Sequence, residues 1–204
     1  MKTEILRIKG DWEEVVNDCR ATVKKPPLGH EPSAAWKRKI LLSEHSPIRA
    51  ITVKFRWADI WYWVAMHWKT HTWESRVDSQ RNDRQDRYDR NSAPQASPVD
   101  FYGDPNIQHT IDTWRKRLCR QASIETRHYA EDFKVALHEH EPEWSDVLVP
   151  NCVYRCGCPE MKCCGTEGHS YFDQLVKKTG GAIITPDLQE RYDLYNAIFW
   201  EGRK

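Results

Sequence analysis

Hydrophobic positions along the chain follow two periods. Ile51, Val53, Phe55 and Trp57 alternate with Thr52, Lys54 and Arg56, which predicts a strand with one buried face. Elsewhere the spacing is helical. Asp11 is placed to cap a helix through Trp12, Val15, Val16 and Cys19, and Ser33 to cap another through Trp36, Ile40 and Leu41. Between them, 24–32 reads as a loop. Asp59 stands where a helix cap belongs, and Ile60, Val64, Trp68 and His71 follow at helical spacing, with Trp61 and Ala65 widening the stripe. From Glu74 to Pro98 large apolar residues almost vanish and a loop is expected. Asp104-Pro105 then opens a helical block whose stripe is Ile107, Ile111, Trp114 and Leu118, continuing with a bend through Ile124, Ala130, Phe133 and Leu137. Pro142 and Pro150 bracket a short helix around Trp144, Val147 and Leu148. Two further helical patterns, Tyr171 to Val176 and Leu188 to Trp200, complete the chain, which has no internal repeat.

Composition narrows the function classes. The 204 residues carry 31 Lys+Arg against 30 Asp+Glu, a net charge of +1, which excludes a strongly basic nucleic-acid binder of the usual kind. Ten Trp, eight Tyr and five Phe supply a core from few, large side chains. The apolar run from Ile60 to Trp68 is too short to span a bilayer, so no membrane partner is expected. The start Met1-Lys2-Thr3-Glu4 lacks the apolar stretch of a signal peptide, and a cytoplasmic protein is expected. The seven cysteines then read as thiols or metal ligands rather than as a disulfide framework.

Three constellations can carry chemistry. In the first, helical spacing puts His67, His71 and Ser75 on one face that runs out into Asp78, Ser79, Gln80, Arg81 and Arg84, where the arginines can hold a phosphate; the bland alternative is a solvated, charge-mixed loop. In the second, Asn106, Thr113, Arg117 and Arg120 run beside the apolar stripe of their helix, either lining a cleft with a fixed cation or forming an ordinary wet boundary. The third is Cys152, Cys156, Cys158, Cys163 and Cys164 with His169 close behind. It has enough thiols for zinc but lacks paired C-x-x-C knuckles, so buried or redox-sensitive thiols stand as the other reading and no metal ligand is assigned.

The first two constellations resemble the flavin-dependent thymidylate synthase family. Glu44-His45-Ser46-Pro47-Ile48, the strand to Trp57, Trp68-Lys69-Thr70-His71-Thr72 and Ser75 to Arg81 resemble that family's T/S-P-F-E-H strand and R-H-R-x-x-S-x-N-E-x-S-x-R signature. Asn106 to Leu118, with Gln121-Ala122 and Glu125-Thr126-Arg127, resembles its second block, N-x-R-x-L-x-x-F-x-x-L-R and the A-Q-x-E-I-R continuation. Thr70 and Thr72 occupy the two arginine positions of R-H-R, Val77 and Asp78 those of the asparagine and glutamate, and the stretch from Arg81 to Asn106 is shorter than in the family.

The resemblance implies an α/β (α+β) fold, a small antiparallel sheet packed against several helices, as a homotetramer. Residues 1–150 would form the synthase-like domain, and 151–204 a cysteine-rich segment and helical extension packed on it. It implies reductive methylation of dUMP, or a related 5-substitution of a pyrimidine deoxynucleotide, with FAD, NADPH as reductant and methylenetetrahydrofolate as carbon donor. Arg117 and Ser75 carry over as catalytic positions. His67, Asp78, Ser79, Gln80, Arg81 and Arg117 carry over as substrate-binding positions, and Ser46, His71, Asn106, Gln108 and Asp112 as flavin-contacting ones. A nucleotide-binding or structural protein that keeps the scaffold without the redox reaction is the alternative, supported by the missing R-H-R arginines.

Overall fold

The computed structural model describes residues 2–84, 86, 89–164, 177 and 187–203. A four-stranded antiparallel sheet is formed by β1 (Thr3–Lys9), β2 (Thr52–Trp61), β3 (Glu74–Val77) and β4 (Pro98–Asp104), in the order β1-β2-β4-β3. Eight α-helices are described: α1 (Trp12–Thr22), α2 (Ala34–Leu42), α3 (Tyr62–Lys69), α4 (Ile107–Arg117), α5 (Ile124–His138), α6 (Pro142–Asp146), α7 (Asn151–Tyr154) and α8 (Leu188–Glu201). A 3-10 turn, Ser46–Ala50, leads into β2.

The caps at Asp11 and Ser33 stand as the sequence predicts, each accepting a backbone N–H of the first turn. Other boundaries move. The helix expected from Asp59 begins at Tyr62, because Ile60 and Trp61 still pair with Val99 and Pro98. Asp59 sits at a bulge with φ of 52° and donates its N–H to Asp100 Oδ1. The expected loop from Glu74 contains β3, a strand of four residues that pairs with β4 at the edge of the sheet. Asp104 ends β4 instead of capping a helix; Asn106 is the cap of α4, its side chain accepting from His109 N at 2.8 Å. The bend expected in the long helical block is a full break, with Ser123 capping α5. The predicted 171–176 helix lies outside the described residues.

The inward side chains of β2 and β4 meet the helices in one aromatic core. Phe55 lies 4.6 Å from Trp57 and 4.9 Å from Phe133 between ring centroids, and Trp68 and Trp114 are 5.1 Å apart. Buried indoles need acceptors, and several find one on another element. Trp57 Nε1 donates to Thr3 Oγ1, Trp73 to Thr113 Oγ1, Trp114 to the Ala130 carbonyl and Trp144 to Thr110 Oγ1. Tyr192, Tyr195 and Phe199 of α8 belong to the same core. Arg191 fastens α8 by donating to the Val153 and Tyr154 carbonyls at the end of α7.

Two features give measurable consequences. Gly103 of β4 faces Phe55 and Ser75 in register; a Cβ there would stand 2.5 Å from Phe55 ring carbons and 2.7 Å from Trp73. Gly103→Ala therefore forces both rings to move, and overpacking of this kind costs about 1–3 kcal/mol. A fall in Tm of roughly 2–12 °C is expected by calorimetry, and an unchanged Tm contradicts the packing. Lys134 is fully buried on α5, donating to the Ser145 carbonyl beneath the Tyr195 and Phe199 rings. Burial lowers its pKa from the ordinary 10.5 to about 7, opposed by Asp146. Between about pH 7 and 10.5 the unfolded chain holds a proton at this residue that the folded chain lacks, so its contribution to stability rises with pH across that window. Urea melts at pH 7, 8.5 and 10 should show stability rising more steeply in the wild type than in Lys134→Met, by on the order of a few kcal/mol over the window. Parallel pH dependences contradict the assignment.

Candidate functional site

The last turn of α3 and the turn that follows it are docked against the polar side of α4. Arg117, at the end of α4, donates from Nε to His71 Nε2 at 2.9 Å and from NH2 to the His67 carbonyl at 2.5 Å, with Thr70 Oγ1 at 3.4 Å. The His67 carbonyl belongs to the C-terminal turn of α3, where a cation is favoured by the helix dipole. Thr70 Oγ1 donates to the same carbonyl at 2.9 Å. Two residues on from His71, Trp73 reaches Thr113 of α4, and its ring lies parallel to the His71 ring, 4° apart in plane at 6.3 Å. Of the polar stripe read from the sequence, Thr113 and Arg117 are thus met by the 70–73 segment, whereas Asn106 caps α4 and Arg120 lies past its end.

The electrostatics follow from what surrounds Arg117. Every partner it has among the described residues is neutral: an imidazole, a carbonyl and a hydroxyl. Burial pulls its pKa below the usual guanidinium range. Burial, then Arg117, then Lys116 lower His71 to about 4, so its ring is neutral near pH 7 and Nε2 accepts, which puts the ring proton on Nδ1. Beside Arg117 runs a groove of about 360 Å³, lined by Lys116, Arg117, Cys119 and Gln121 on one side and Asn151 and Glu160 on the other.

The other predicted residues fall into separate places. His67 is exposed, its Nδ1 3.2 Å from Thr126 Oγ1. Ser75 lies in β3, its carbonyl accepting from Lys69 Nζ at 3.0 Å. Asp78 continues the sheet hydrogen bonding with Asp100. Gln80 accepts from Arg90, and exposed Arg81 pairs with Asp83 at 2.5 Å while its N–H meets Ser79 Oγ. A surface pair so close in sequence is worth little and leaves the guanidinium available. Ser46 is exposed at the start of the 3-10 turn that packs on α4, and Asn106 is spent on capping.

Gln108 and Asp112 lie on the far side of α4 from Arg117. The nine steps from 108 to 117 turn the helix by about 180°. Gln108 Nε2 donates to Glu44 Oε2 at 2.7 Å and to Asp112 Oδ1 at 3.2 Å, and its Oε1 is buried with no partner. Arg115 completes this network by an ion pair with Glu44 and stacks over Tyr154, with 3.6 Å from guanidinium carbon to ring centroid. Sequence reasoning missed Arg115, Lys69, Trp73 and Thr126. The adjacency of Arg115 and Lys116 to Arg117 was a visible signal, whereas Thr126 required the α4–α5 break.

The described cysteines are all free thiols. Burial raises Cys152 to about 12, with Cys119, Cys164 and Cys158 adding to the effect. Among the described residues no three His, Cys, Asp or Glu side chains are grouped to hold a metal; His169 lies outside them. No described helix is long and apolar enough to cross a membrane.

No family model matches the sequence and no curated protein is recognisably similar to it. Solved structures are similar in fold. The UMP/dUMP methylase PolB from Streptomyces cacaoi, bound with 5-Br dUMP, superposes with a TM-score of 0.57 at 14% identity, covering 72% of this chain and 93% of its own. The flavin-dependent thymidylate synthase ThyX from Helicobacter pylori, complexed with FAD and dUMP, gives 0.60 at 11% identity over 73% of this chain and 100% of its own. A second structure of that enzyme with FAD and dUMP gives 0.61 at 11%, over 72% and 99%. The sheet order, the helices around it and these superpositions show that this chain has the fold of the flavin-dependent thymidylate synthases.

Proposed function

We propose that the chain binds a pyrimidine deoxynucleotide in the groove beside Arg117 and takes part in substitution at the base's C5, as a divergent flavin-dependent thymidylate synthase-like enzyme. The observation that carries this reading is Arg117 itself, a half-buried cation held by neutral partners only, at the edge of a groove. Charge that is positioned but not cancelled is what stabilises an anion developing on a bound ring. Solved structures of the same fold, at 11–14% identity, hold dUMP or its 5-bromo analogue, which supports this ligand class.

Of the residues matched to flavin contacts, Gln108 has an acceptor left to offer the ring of FAD. Gln108 Oε1 is a buried acceptor without a donor, and a flavin carries a ring N–H of the kind it lacks. Ser46, His71, Asn106, Gln108 and Asp112 would hold the cofactor, with Nε2 of His71 already given to Arg117. A bound flavin supplies two-electron redox chemistry, with NADPH as reductant and methylenetetrahydrofolate as the carbon source. The chain's own part is positioning: Arg117 polarises the pyrimidine, and Ser79, Gln80 and Arg81 meet the phosphate.

The arrangement also supports a shared site. Gln108 and Asp112 face away from Arg117 across one helix, so these two flavin-matched residues and Arg117 of a single chain serve different sites, as in a homotetramer whose sites draw on several subunits, while flavin-matched His71 lies against Arg117 itself. Arg117→Ala and Gln108→Ala proteins, each impaired alone, should then recover activity when mixed and reassociated; no recovery contradicts site sharing.

One observation favours a second reading. Thr70 and Thr72 bring hydroxyls where the family signature has arginines, and hydroxyls do not neutralise a pyrophosphate. A nucleotide-binding protein without redox turnover would tolerate this. Visible absorbance of the protein after FAD addition and desalting, with and without dUMP, separates the two. Retained flavin with NADPH oxidation dependent on dUMP is expected for the enzyme, and dUMP binding by a colourless protein supports the binder. In either case Arg117→Ala should weaken dUMP binding at least about tenfold, the loss of one charge-assisted contact. Unchanged affinity removes Arg117 from the site.

A further inference from the structure

We propose that His71 is a positioning residue that clamps Arg117 so that only NH1 meets the ligand, selecting a single carbonyl oxygen of the base over the paired oxygens of a phosphate. This rests on the nucleotide reading above and adds the edge by which the base is read.

A guanidinium has five N–H donors, and it grips phosphate by two of them in parallel. In Arg117 the side edge is taken: Nε–H goes to His71 Nε2 and NH2 to the His67 carbonyl. The second NH2 hydrogen faces Thr70 Oγ1 at 3.4 Å, which occupies half of the end edge. NH1 has no partner among the described residues, and it is not one of the buried polar atoms left unpaired, so it is open to solvent. The side chain also lines the groove. What remains is one nitrogen, suited to one acceptor. A base carbonyl is such an acceptor, and a phosphate bound there would forgo the fork that makes arginine its preferred partner.

His71 can hold this geometry because its own position is fixed from the other side. Trp73 lies parallel to the imidazole and is anchored to Thr113, one helical turn before Arg117. The clamp therefore spans the turn after α3 and the last turn of α4. An acceptor at Nε2 is all the clamp requires, which a glutamine carbonyl can supply and a methyl group cannot.

The test uses the full chain with two ligands, dUMP and 2-deoxyribose 5-phosphate, the latter carrying the phosphate without the base. His71→Ala should lose about tenfold or more in dUMP affinity, the worth of one positioning hydrogen bond. His71→Gln should stay within about threefold of wild type, and all three proteins should bind 2-deoxyribose 5-phosphate alike. Nitrogen-15 NMR of the imidazole should show Nε2 unprotonated and Nδ1 protonated near pH 7, without any ligand. Equal loss of both ligands in His71→Ala would overturn the base-reading role, and a protonated Nε2 would overturn the clamp. Were wild type to bind neither ligand, the nucleotide reading and the ligand preference would fall together, while the imidazole spectrum would still decide the clamp.

Discussion

The docking of residues 68–73 against α4 is the constraint on which the rest of the structure depends. α4 has two working sides. Ile107, Ile111 and Trp114 face the core, while Thr113 and Arg117 receive Trp73 and His71. Trp73 in turn packs against Phe55 at 6.1 Å across the strand position that Gly103 leaves empty. Core packing and site geometry are therefore one problem: the missing side chain at Gly103 lets Trp73 in, and Trp73 sets the plane of the imidazole that holds Arg117.

Two neighbouring arginines on this helix show opposite treatments of charge. Arg115 is buried against the Glu44 carboxylate and stacked on Tyr154, which joins α4 to the chain beyond residue 150. That pair is neutral overall; NH1 and NH2 of Arg115 reach Glu44, while its Nε is buried with no partner, so the pair is not fully satisfied. Arg117 is held by groups with no formal charge, so its geometry is fixed while its field is retained. One arginine thus has its charge cancelled by a carboxylate and the other keeps its charge, although they are two residues apart.

How much of this could be read from the sequence depends on how cleanly each element keeps its period. The strand through Phe55 and the helices capped by Asp11 and Ser33 were legible because alternation or capping was intact. β1 was not, because its register shifts between Ile5 and Arg7 and breaks the alternation. β4 hid behind Gly103, where an inward position carries no side chain at all. Asp59 resembled a helix cap because a bulge also favours a short polar residue with positive φ. In the site, Arg117 stood out from its stripe, and His71 was placed correctly near the end of α3 for an inexact reason: the helix stops at Lys69, and the turn delivers the imidazole. The Glu44–Arg115 pair joins residues 71 apart and had no local signal.

The threonine at position 70 gives the departure from the family signature a physical sense. Its hydroxyl donates to the His67 carbonyl and lies in reach of Arg117 NH2, so it belongs to the set that holds the guanidinium. An arginine at 70 would put a second cation against the first, and two unit charges about 4 Å apart repel by roughly 1–4 kcal/mol in a wet or partly buried setting. Such repulsion is tolerable when an anionic cofactor group lies between the two. With threonine the cluster is stable without any anion, and the His67 carbonyl at the end of α3 is enough to seat the one remaining charge. The threonine thus lets the chain hold the Arg117 guanidinium with its own neutral groups, and NH1 takes no part in that set.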